Sequence, residues 1–261
     1  MLTERSARVV AAVKLHRQVA RRRGELFLVE GANLVEAASR RGLIREAFAT
    51  EAAAQRYADL LAKIDASVHL VTERAAKALS DTVTPAGLVA VCENPSTVLA
   101  DVLAQAPRLV AVGVEIGEPG NAGTLIRTAD AMGADAVVFA GHSVDPYNGK
   151  CLRASAGSIF ALPVVVAPDS DEAVAALQAA GLRVLATTVD GELSLDDTDL
   201  AAPTAWLFGG EAHGLPAQLA ERADSRITIA MSGSAQSLNV AAAAAICLYQ
   251  SARAQRSGSG S

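Results

Sequence analysis

The chain has 261 residues, 51% of them hydrophobic and 3% aromatic, and its formal net charge at pH 7 is −5. This length allows one large or two small domains, and the apolar content is sufficient for a buried core. The few aromatic residues argue against a protein that binds single strands by stacking bases on aromatic platforms. No run of eighteen apolar residues occurs, so we expect no membrane span.

The sequence also indicates the compartment. The N-terminus lacks the apolar segment of a secretory signal. The cysteines, Cys92, Cys151 and Cys247, are far apart and show neither the CxxC spacing of a zinc site nor a disulfide framework. We therefore expect a cytoplasmic protein with buried thiols and no bound metal.

The first part of the chain alternates apolar strands with helices, which is typical of an α/β domain. Residues 3–20 predict one amphipathic helix. Strands are expected at residues 26–29, 45–49, 68–71 and 87–92, and further helices at 32–41, 52–63 and 73–79. The sequence Glu93-Asn94-Pro95-Ser96 then interrupts the pattern and predicts a boundary, followed by a short helix at 98–103.

The second part repeats the alternation. Strands are expected at residues 108–114, 136–140, 162–166, 182–187, 205–208 and 227–229, and helices at 122–132, 170–180, 216–222 and 238–252. The last helix is apolar from Val240 to Leu248, which predicts burial on all sides, in a domain centre or at a subunit interface. From Arg256 onward the composition predicts a flexible tail.

Three glycine-bearing segments follow strands and carry the polar groups. In the first, Asn121 stands where a helix cap is expected, and Arg127 lies on the polar face of the helix. Taken singly, Asn121 could serve only as a cap and Arg127 only as the partner of an acid. Loops at the carboxyl ends of parallel strands converge on one crevice, so we expect the three segments to meet.

The second segment, Gly209 to Pro216, places Glu211 and His213 among glycines that let a ligand lie against bare backbone. For His213 a solvent or ribose contact is favoured over proton transfer. In the third segment, Ser237 and Asn239 precede the buried helix, and capping alone would explain Ser237 but not Asn239. Neither a Walker loop nor GxGxxG occurs, which argues against a nicotinamide dehydrogenase.

Basic residues are concentrated near the N-terminus, which fits docking on a phosphate backbone, with a solvated helix face as an equal alternative. The best candidates for RNA contacts there are Arg17, Arg21, Arg22, Arg23 and Asn33. Lys150 and Arg153, in the polar stretch 148–157, are further candidates. For these two the alternative is a solvated helix start, and it weighs more for Lys150.

Together the three segments resemble the three motifs of the SpoU/TrmH family (SPOUT superfamily), S-adenosylmethionine-dependent RNA 2′-O-ribose methyltransferases. Asn121 and Arg127 match the first motif, the sequence GGEAHGL around Glu211 the second, and Ser237 to Val240 the third. The resemblance covers roughly residues 108–250. The N-terminal sequence FLVEGANLVEAA is similar to the family's substrate-binding extension, which resembles ribosomal-protein RNA-binding domains.

This resemblance implies an α/β fold. A C-terminal α/β-knot, a deep trefoil knot with a mostly parallel sheet, would be joined to a smaller N-terminal α/β RNA-binding domain. It implies domains at residues 1–94 (RNA substrate binding), 95–106 (linker and short helix) and 107–255 (methyltransferase), with a tail at 256–261. It also implies a homodimer with the last helix at the interface.

The resemblance further implies roles for individual residues. Those implied to be catalytic are Arg127, Asn121, Glu211, Ser237 and Asn239. Those implied to bind S-adenosylmethionine are Gly210, Glu211, Gly214, Ile229, Met231 and Leu238. The family's role for the first-motif arginine is that of the base, but arginine normally stays protonated, so a phosphate clamp is the alternative for Arg127.

The expected reaction is methyl transfer to a ribose 2′-hydroxyl, with ribosomal RNA of the 23S type favoured as substrate. A tRNA substrate and a non-catalytic RNA-binding module of the same fold are the alternatives. Thiostrepton-resistance enzymes of this family share the domain layout, so a role in antibiotic resistance stays open.

Overall fold

The structure, a computed structural model, describes residues 1–211 and 213–258, which fall into two units. The first unit contains Met1–Ser96 and Tyr147–Phe160, and the second contains Thr97–Pro146 and the chain from Ala161 onward. The division after Ser96 lies close to the expected boundary. The segment 147–160, however, was expected in the methyltransferase domain and is found in the first unit.

The first unit is a four-stranded sheet covered by short helices. Its strands are β1 (Leu26–Glu30), β2 (Ile44–Ala49), β3 (Ser67–Leu70) and β4 (Leu88–Glu93). Its helices are α1 (Ala7–Val13), α2 (Gln18–Gly24), α3 (Ala32–Arg40), α4 (Glu51–Arg56), α5 (Ala58–Leu61) and α6 (Glu73–Leu79). The spatial order is β1-β4-β2-β3; β4 is antiparallel to both neighbours, and β2 and β3 are parallel.

The expected single helix at 3–20 is wrong. Arg17 adopts an extended backbone, with φ −92° and ψ 130°, and separates α2 from α1 and the 3₁₀ turn Lys14–His16. The break lets Val9 and Leu15 reach the core, whereas Val19 is left exposed. The expected helix at 52–63 is likewise divided, because Tyr57 leaves the helical conformation between α4 and α5.

The segment 147–160 packs into the first unit through aromatic rings. It contains a helix, Gly149–Ser155, and a 3₁₀ turn, Ser158–Phe160. The ring centroid of Phe27 in β1 lies 4.7 Å from that of Tyr147 and 6.2 Å from that of Phe160. All three side chains are buried, so apolar burial holds the segment in this unit.

The second unit is built on a seven-stranded sheet in which every neighbouring pair is parallel. Its strands are β5 (Leu109–Val114), β6 (Ala136–Ala140), β7 (Val164–Ala167), β8 (Arg183–Thr187), β9 (Leu193–Ser194), β10 (Thr204–Gly209) and β11 (Ser225–Thr228). Its helices, with Gly149–Ser155 of the first unit counted as α9, are α7 (Leu99–Leu103), α8 (Pro119–Met132), α10 (Ser170–Ala179), α11 (Ala217–Arg222) and α12 (Val240–Gly258).

The sheet order is β7-β6-β5-β10-β8-β11-β9, so the chain leaves β5 toward β6 and β7 and later returns on the other side of β5. A parallel sheet has a crevice beyond the carboxyl ends of the strands where this direction reverses. Here the reversal places that crevice beyond β5, β10 and β8. The central strands are buried on both faces, as their continuous apolar sequences require.

Helix α12 packs on α8, β5 and β10. On its inner face, Ser251 accepts a 2.8 Å hydrogen bond from the indole nitrogen of Trp206, and both side chains are fully buried. Within the single chain the outer face of the helix is not buried, since Ile246 and Tyr249 are 37% and 51% exposed; of the two expected locations, the domain centre therefore does not apply to this face. The helix also includes residues 256–258, which were expected in a flexible tail; residues 259–261 lie outside the described residues.

Within the described ranges, no helix is long and apolar enough to cross a membrane.

Candidate active site

The first site segment is the turn from β5 into α8. The residue that caps α8 is Glu118, whose carboxylate accepts a 3.1 Å hydrogen bond from the backbone nitrogen of Gly120. Pro119 then occupies the first helical position, where its missing N–H costs nothing. The expectation that Asn121 caps this helix is therefore wrong, and its side chain is free to act elsewhere.

Asn121, Glu211 and Asn239 form a cluster that we call the polar bracket. Oε1 of Glu211 accepts hydrogen bonds from Nδ2 of Asn121 and, at 2.9 Å, from Nδ2 of Asn239. Nδ2 of Asn239 also lies 3.2 Å from Oδ1 of Asn121, and its own Oδ1 accepts from the backbone nitrogen of Ala241 at 2.9 Å. The three expected segments thus meet, as the convergence of strand ends predicts.

The bracket joins α8, the loop after β10 and the start of α12. Amides take up no proton at neutral pH, and the one carboxylate is engaged by both of them. The arrangement is therefore suited to fixing the relative positions of three chain segments. Ser237 is exposed, and its hydroxyl makes no hydrogen bond to the bracket or to any other described residue.

Arg127 lies on α8, six residues after Asn121, and is exposed. Among the residues that the structure describes, its guanidinium has neither a hydrogen-bond partner nor an ion-pair partner. The alternative that Arg127 serves only as the partner of an acid thus finds no partner in the described part of the chain. An unpaired guanidinium presents its fork of donors to an anion from solution, such as a phosphate.

Two glycines of the second segment have a steric role that the sequence did not indicate. A β-carbon on Gly209 would lie 2.1 Å from the carbonyl carbon of Gly214, and one on Gly210 would lie 2.5 Å from the carbonyl oxygen of Glu115. The loop also closes on itself through a 2.9 Å bond from the nitrogen of Gly214 to the oxygen of Gly210. Gly209 and Gly210 thus allow the loop to fold against its own backbone and against the residue that follows β5.

A cavity of about 500 Å³ lies beside the bracket, at the carboxyl ends of β8, β10 and β11. The six residues expected to bind cofactor all line it: Gly210, Glu211, Gly214, Ile229, Met231 and Leu238. His213 and Ser237 line it as well. The sequence reasoning missed Thr187 and Thr188, which also line the cavity; the signal was their position at the end of β8, a neighbour of β10.

Arg226 on β11 also lines the cavity and is held by Glu192. Its backbone nitrogen donates to one carboxylate oxygen of Glu192 at 2.9 Å, and its Nε donates to the other at 2.8 Å. The backbone hydrogen bond from Arg226 is the largest cause that lowers the pKa of Glu192 below its usual value; a backbone hydrogen bond from Glu192 itself, the side-chain bond and the charge of the guanidinium follow. Both side chains are exposed, so the pair orients Arg226 more than it stabilises the fold.

The residues expected to contact RNA are divided by the structure. Arg17, Arg22, Arg23 and Asn33 are exposed in the first unit. The prediction that Arg21 contacts RNA is wrong. Its guanidinium is buried and donates to the carbonyl oxygens of Leu15 and His16 at 2.9 Å each. An arginine engaged in this way is not available to a phosphate.

Lys150 and Arg153 lie on α9, which belongs to the first unit, and both are exposed. Arg153 forms an ion pair with Asp81. The three cysteines are free and buried, and burial raises the pKa of the Cys247 thiol to about 12 and that of Cys92 further still. Thiols in such surroundings are inert at neutral pH.

Comparisons with known proteins match both units. The model of the SpoU rRNA methylase family matches residues 108–249, and that of the MRM3-like substrate binding domain matches residues 7–90. The 23S rRNA (guanosine(2553)-2′-O)-methyltransferase RlmP of Bacillus subtilis is 35% identical over 237 residues, which are 90% of this chain and 92% of the relative.

Two solved structures are similar over nearly the full length. The SpoU methyltransferase AviRb of Streptomyces viridochromogenes, in complex with the cofactor AdoMet, matches with a TM-score of 0.88 and 31% identity, over 97% of this chain and 99% of that one. An AdoMet-bound rRNA methyltransferase of Sinorhizobium meliloti matches with a TM-score of 0.85 and 30% identity, over 95% of each chain.

Proposed function

Because this chain belongs to the SpoU rRNA methylase family, we propose that it transfers a methyl group from S-adenosylmethionine to a ribose 2′-hydroxyl of ribosomal RNA. The expected fold is confirmed, since the parallel sheet of the second unit is the α/β-knot of this family. The observation that carries the proposal is the cavity beside the polar bracket, with the unpaired Arg127 on the same helix as Asn121.

The cavity fits the cofactor in size and chemistry. Its volume of about 500 Å³ lies within the range of small-molecule sites, roughly 300–1,000 Å³. Apolar side chains such as Ile229 and Leu238 line it together with the backbone of Gly210. The hydroxyl of Thr188 is buried and has no hydrogen-bond partner among the residues described, which is typical of a site that awaits a polar ligand.

The cofactor, when bound, supplies an electrophilic methyl group on a sulfonium. The residues of the chain have to hold the ribose oxygen in line with that methyl group and keep water out. We assign the polar bracket the task of fixing the loop and the helix that line the cavity. Correct orientation alone lowers a reaction barrier by up to roughly 7–11 kcal/mol.

We assign Arg127 the role of phosphate clamp. A guanidinium stays protonated at neutral pH, so it serves poorly as a base but binds a phosphate through two parallel hydrogen bonds. Holding the phosphate next to the target ribose also fixes the hydroxyl that reacts. Ser237, which is exposed and lines the cavity, is assigned a contact to the ribose or the cofactor.

We assign the two units different tasks. Residues 1–94 bind the RNA substrate, which is supported by the match of residues 7–90 to a substrate binding domain. Residues 107–146 and 161–255, the part of the expected methyltransferase domain that lies in the second unit, transfer the methyl group. The intact polar bracket argues against a non-catalytic RNA-binding module, and the rRNA methyltransferases among the relatives favour ribosomal RNA over tRNA.

We also infer that the protein acts as a homodimer in the cytoplasm. The outer face of α12 exposes Ile246 and Tyr249, and burial of apolar side chains between two copies would stabilise a dimer. Three free, buried thiols are typical of a protein from a reducing compartment.

The function is tested with purified protein, methyl-labelled S-adenosylmethionine and unmodified 23S rRNA or tRNA transcripts. We expect label in the 23S transcript, at a nucleotide whose 3′ phosphodiester becomes resistant to alkali because the 2′-oxygen is blocked. Label on a base, or in neither RNA, would contradict the proposal. Label in tRNA alone would establish the tRNA alternative.

A further inference from the structure

Glu115, the residue that directly follows β5, has an uncommon backbone conformation. Its φ is 53°, in the left-handed region that residues with a side chain rarely adopt. Glu25, Ala106 and Ala156 also have positive φ, but they follow helices, and one left-handed residue commonly ends a helix. Glu115 follows a strand instead, so its conformation needs another explanation. Such a conformation persists where the surrounding contacts impose it, and it often marks a functional constraint.

The side chain of Glu115 does not impose this conformation. It is exposed, and its carboxylate has neither a hydrogen bond nor an ion pair among the residues that the structure describes. The backbone is held by the end of β6 and the turn after it. The nitrogen of Glu115 donates to the carbonyl oxygen of Ala140 at 3.1 Å, and the nitrogen of Val144 donates to that of Ile116 at 2.8 Å.

Ser143 joins these contacts through one hydroxyl. It accepts from the backbone nitrogen of Ile116 at 3.1 Å and donates to the carbonyl oxygen of Ala140 at 2.8 Å. The same oxygen of Ala140 accepts from Glu115. Ser143 therefore ties the backbone on both sides of Glu115 to the end of β6. Neither Ser143 nor Glu115 lines the cavity beside the polar bracket.

The peptide unit that Ser143 holds is the one that supports the cavity. The nitrogen of Ile116 and the carbonyl oxygen of Glu115 belong to one planar peptide, so a hydrogen bond to the first fixes the direction of the second. That oxygen lies so close to Gly210 that a β-carbon there would be 2.5 Å away. Gly210 starts the loop that lines the cavity with Glu211 and Gly214.

We propose that Ser143 is a positioning residue for cofactor binding. Its hydroxyl keeps the peptide between Glu115 and Ile116 in the strained orientation on which the loop at Gly210 rests. The inference rests on the proposed function, which supplies S-adenosylmethionine as the ligand of the cavity. Without the hydroxyl, relief of the strain at Glu115 favours a rotated peptide and a displaced loop.

The first test is Ser143→Ala. We expect affinity for S-adenosylmethionine, measured by calorimetry, to fall about fivefold to tenfold, which corresponds to the loss of one hydrogen bond. KM for S-adenosylmethionine should rise by a similar factor. The kcat at saturating cofactor should stay within about twofold of wild type, because binding of the cofactor restores the loop.

A second substitution separates positioning from general stability. Glycine adopts positive φ without strain, so adding Glu115→Gly to Ser143→Ala should return affinity to within about twofold of wild type. Ala106→Gly is the matched control. Ala106 has a φ of 51° and lies before β5, at the end of the strand away from the cavity. It should leave the loss of affinity in place, although it relieves the same kind of strain.

Equal rescue by the two glycines would show that Ser143 acts only through stability and would overturn the inference. Wild-type affinity in Ser143→Ala would overturn it as well, while leaving the proposed function in place. Glu115→Gly alone should fold and bind S-adenosylmethionine as the wild type does. Weaker binding there would mean that the carboxylate itself acts, and the assignment to the backbone would be wrong. A wild type that binds no S-adenosylmethionine would instead remove the proposed function.

Discussion

Nδ2 of Asn239 lies 3.2 Å from Oδ1 of Asn121, although 118 residues separate them in the chain. Both amides also donate to the same oxygen of Glu211, so one carboxylate holds the start of α8 and the start of α12 together. The position of the cavity wall therefore depends on a side chain that needs no chemical role of its own. Substitutions can show whether such a residue positions the reaction or takes part in it.

Replacing Glu211 separates these two roles. Glutamine keeps an oxygen that can accept from both asparagines, so we expect Glu211→Gln to lower kcat/KM only about threefold. Glu211→Ala leaves both amides without their acceptor, so we expect it to lower kcat/KM about tenfold to a hundredfold. The measurement is steady-state methylation of the RNA substrate. If the glutamine variant is as inactive as the alanine variant, Glu211 takes part in proton transfer.

Gly210 is expected to tolerate no side chain. A β-carbon there would lie 2.5 Å from the carbonyl oxygen of Glu115, a backbone atom that cannot move aside without shifting β5. We expect Gly210→Ala to weaken S-adenosylmethionine binding at least tenfold by calorimetry, because the cavity-lining loop is displaced. Gly117→Ala is the matched control, since a β-carbon there meets nothing within 4 Å. Equal behaviour of the two variants would contradict this explanation.

Arg127 should be essential for turnover but not for cofactor binding. We expect Arg127→Ala to reduce kcat by about a hundredfold or more, because the phosphate and the ribose lose their orientation. Affinity for S-adenosylmethionine should stay within about twofold of wild type. Arg127→Lys keeps the charge without the bidentate fork, so its kcat should lie between that of the wild type and that of Arg127→Ala. Wild-type turnover in Arg127→Ala would show that the clamp is elsewhere.

The arginines at positions 21 to 23 should behave differently from one another. Arg22 and Arg23 are exposed, and replacing both by glutamine should reduce the slope of log affinity against log salt by roughly 0.7–0.9 for each phosphate that is no longer neutralised. Arg21→Gln should leave this slope unchanged. It should instead lower the free energy of unfolding by about 1–3 kcal/mol, because two carbonyl oxygens lose their donor. A changed slope in Arg21→Gln would return Arg21 to the RNA-binding set.

The proposed dimer can be tested on the outer face of α12. We expect Ile246→Asp combined with Tyr249→Asp to give a monomer by light scattering, because charges replace apolar side chains at the contact. Val166→Asp is the control, as an equally exposed apolar residue on β7. A dimer that survives the double change, or a wild type that is already monomeric, would contradict the proposal.

The sequence predicted which residues meet at the site better than it predicted the contacts that position them. The alternation of strands and helices, and the meeting of Asn121, Glu211 and Asn239, follow from local periodicity and from the convergence of strand ends. The cap of α8 was predicted wrongly because asparagine is a preferred capping residue, whereas glutamate, which caps the helix here, is not. Pro119 is the signal that decides between them, since proline favours the first helical position and so places the cap one residue earlier.

Other features depend on tertiary contacts that no local pattern carries. The need for glycine at 210 arises from a carbonyl ninety-five positions earlier in the chain, Glu115. The burial of Arg21 depends on the chain break at Arg17, which turns α2 so that the guanidinium reaches two free carbonyls. In a run of three arginines, composition alone cannot distinguish the buried one from its exposed neighbours.

The packing of Phe27 against Tyr147 and Phe160 limits how this protein can be cut into parts. A fragment ending at Ser96 would retain the entire four-stranded sheet but would leave an aromatic ring of β1 facing water, where it would promote aggregation. An isolated RNA-binding fragment would therefore have to include residues 147–160 joined to residues 1–96, because this unit is built from two separate stretches of the chain.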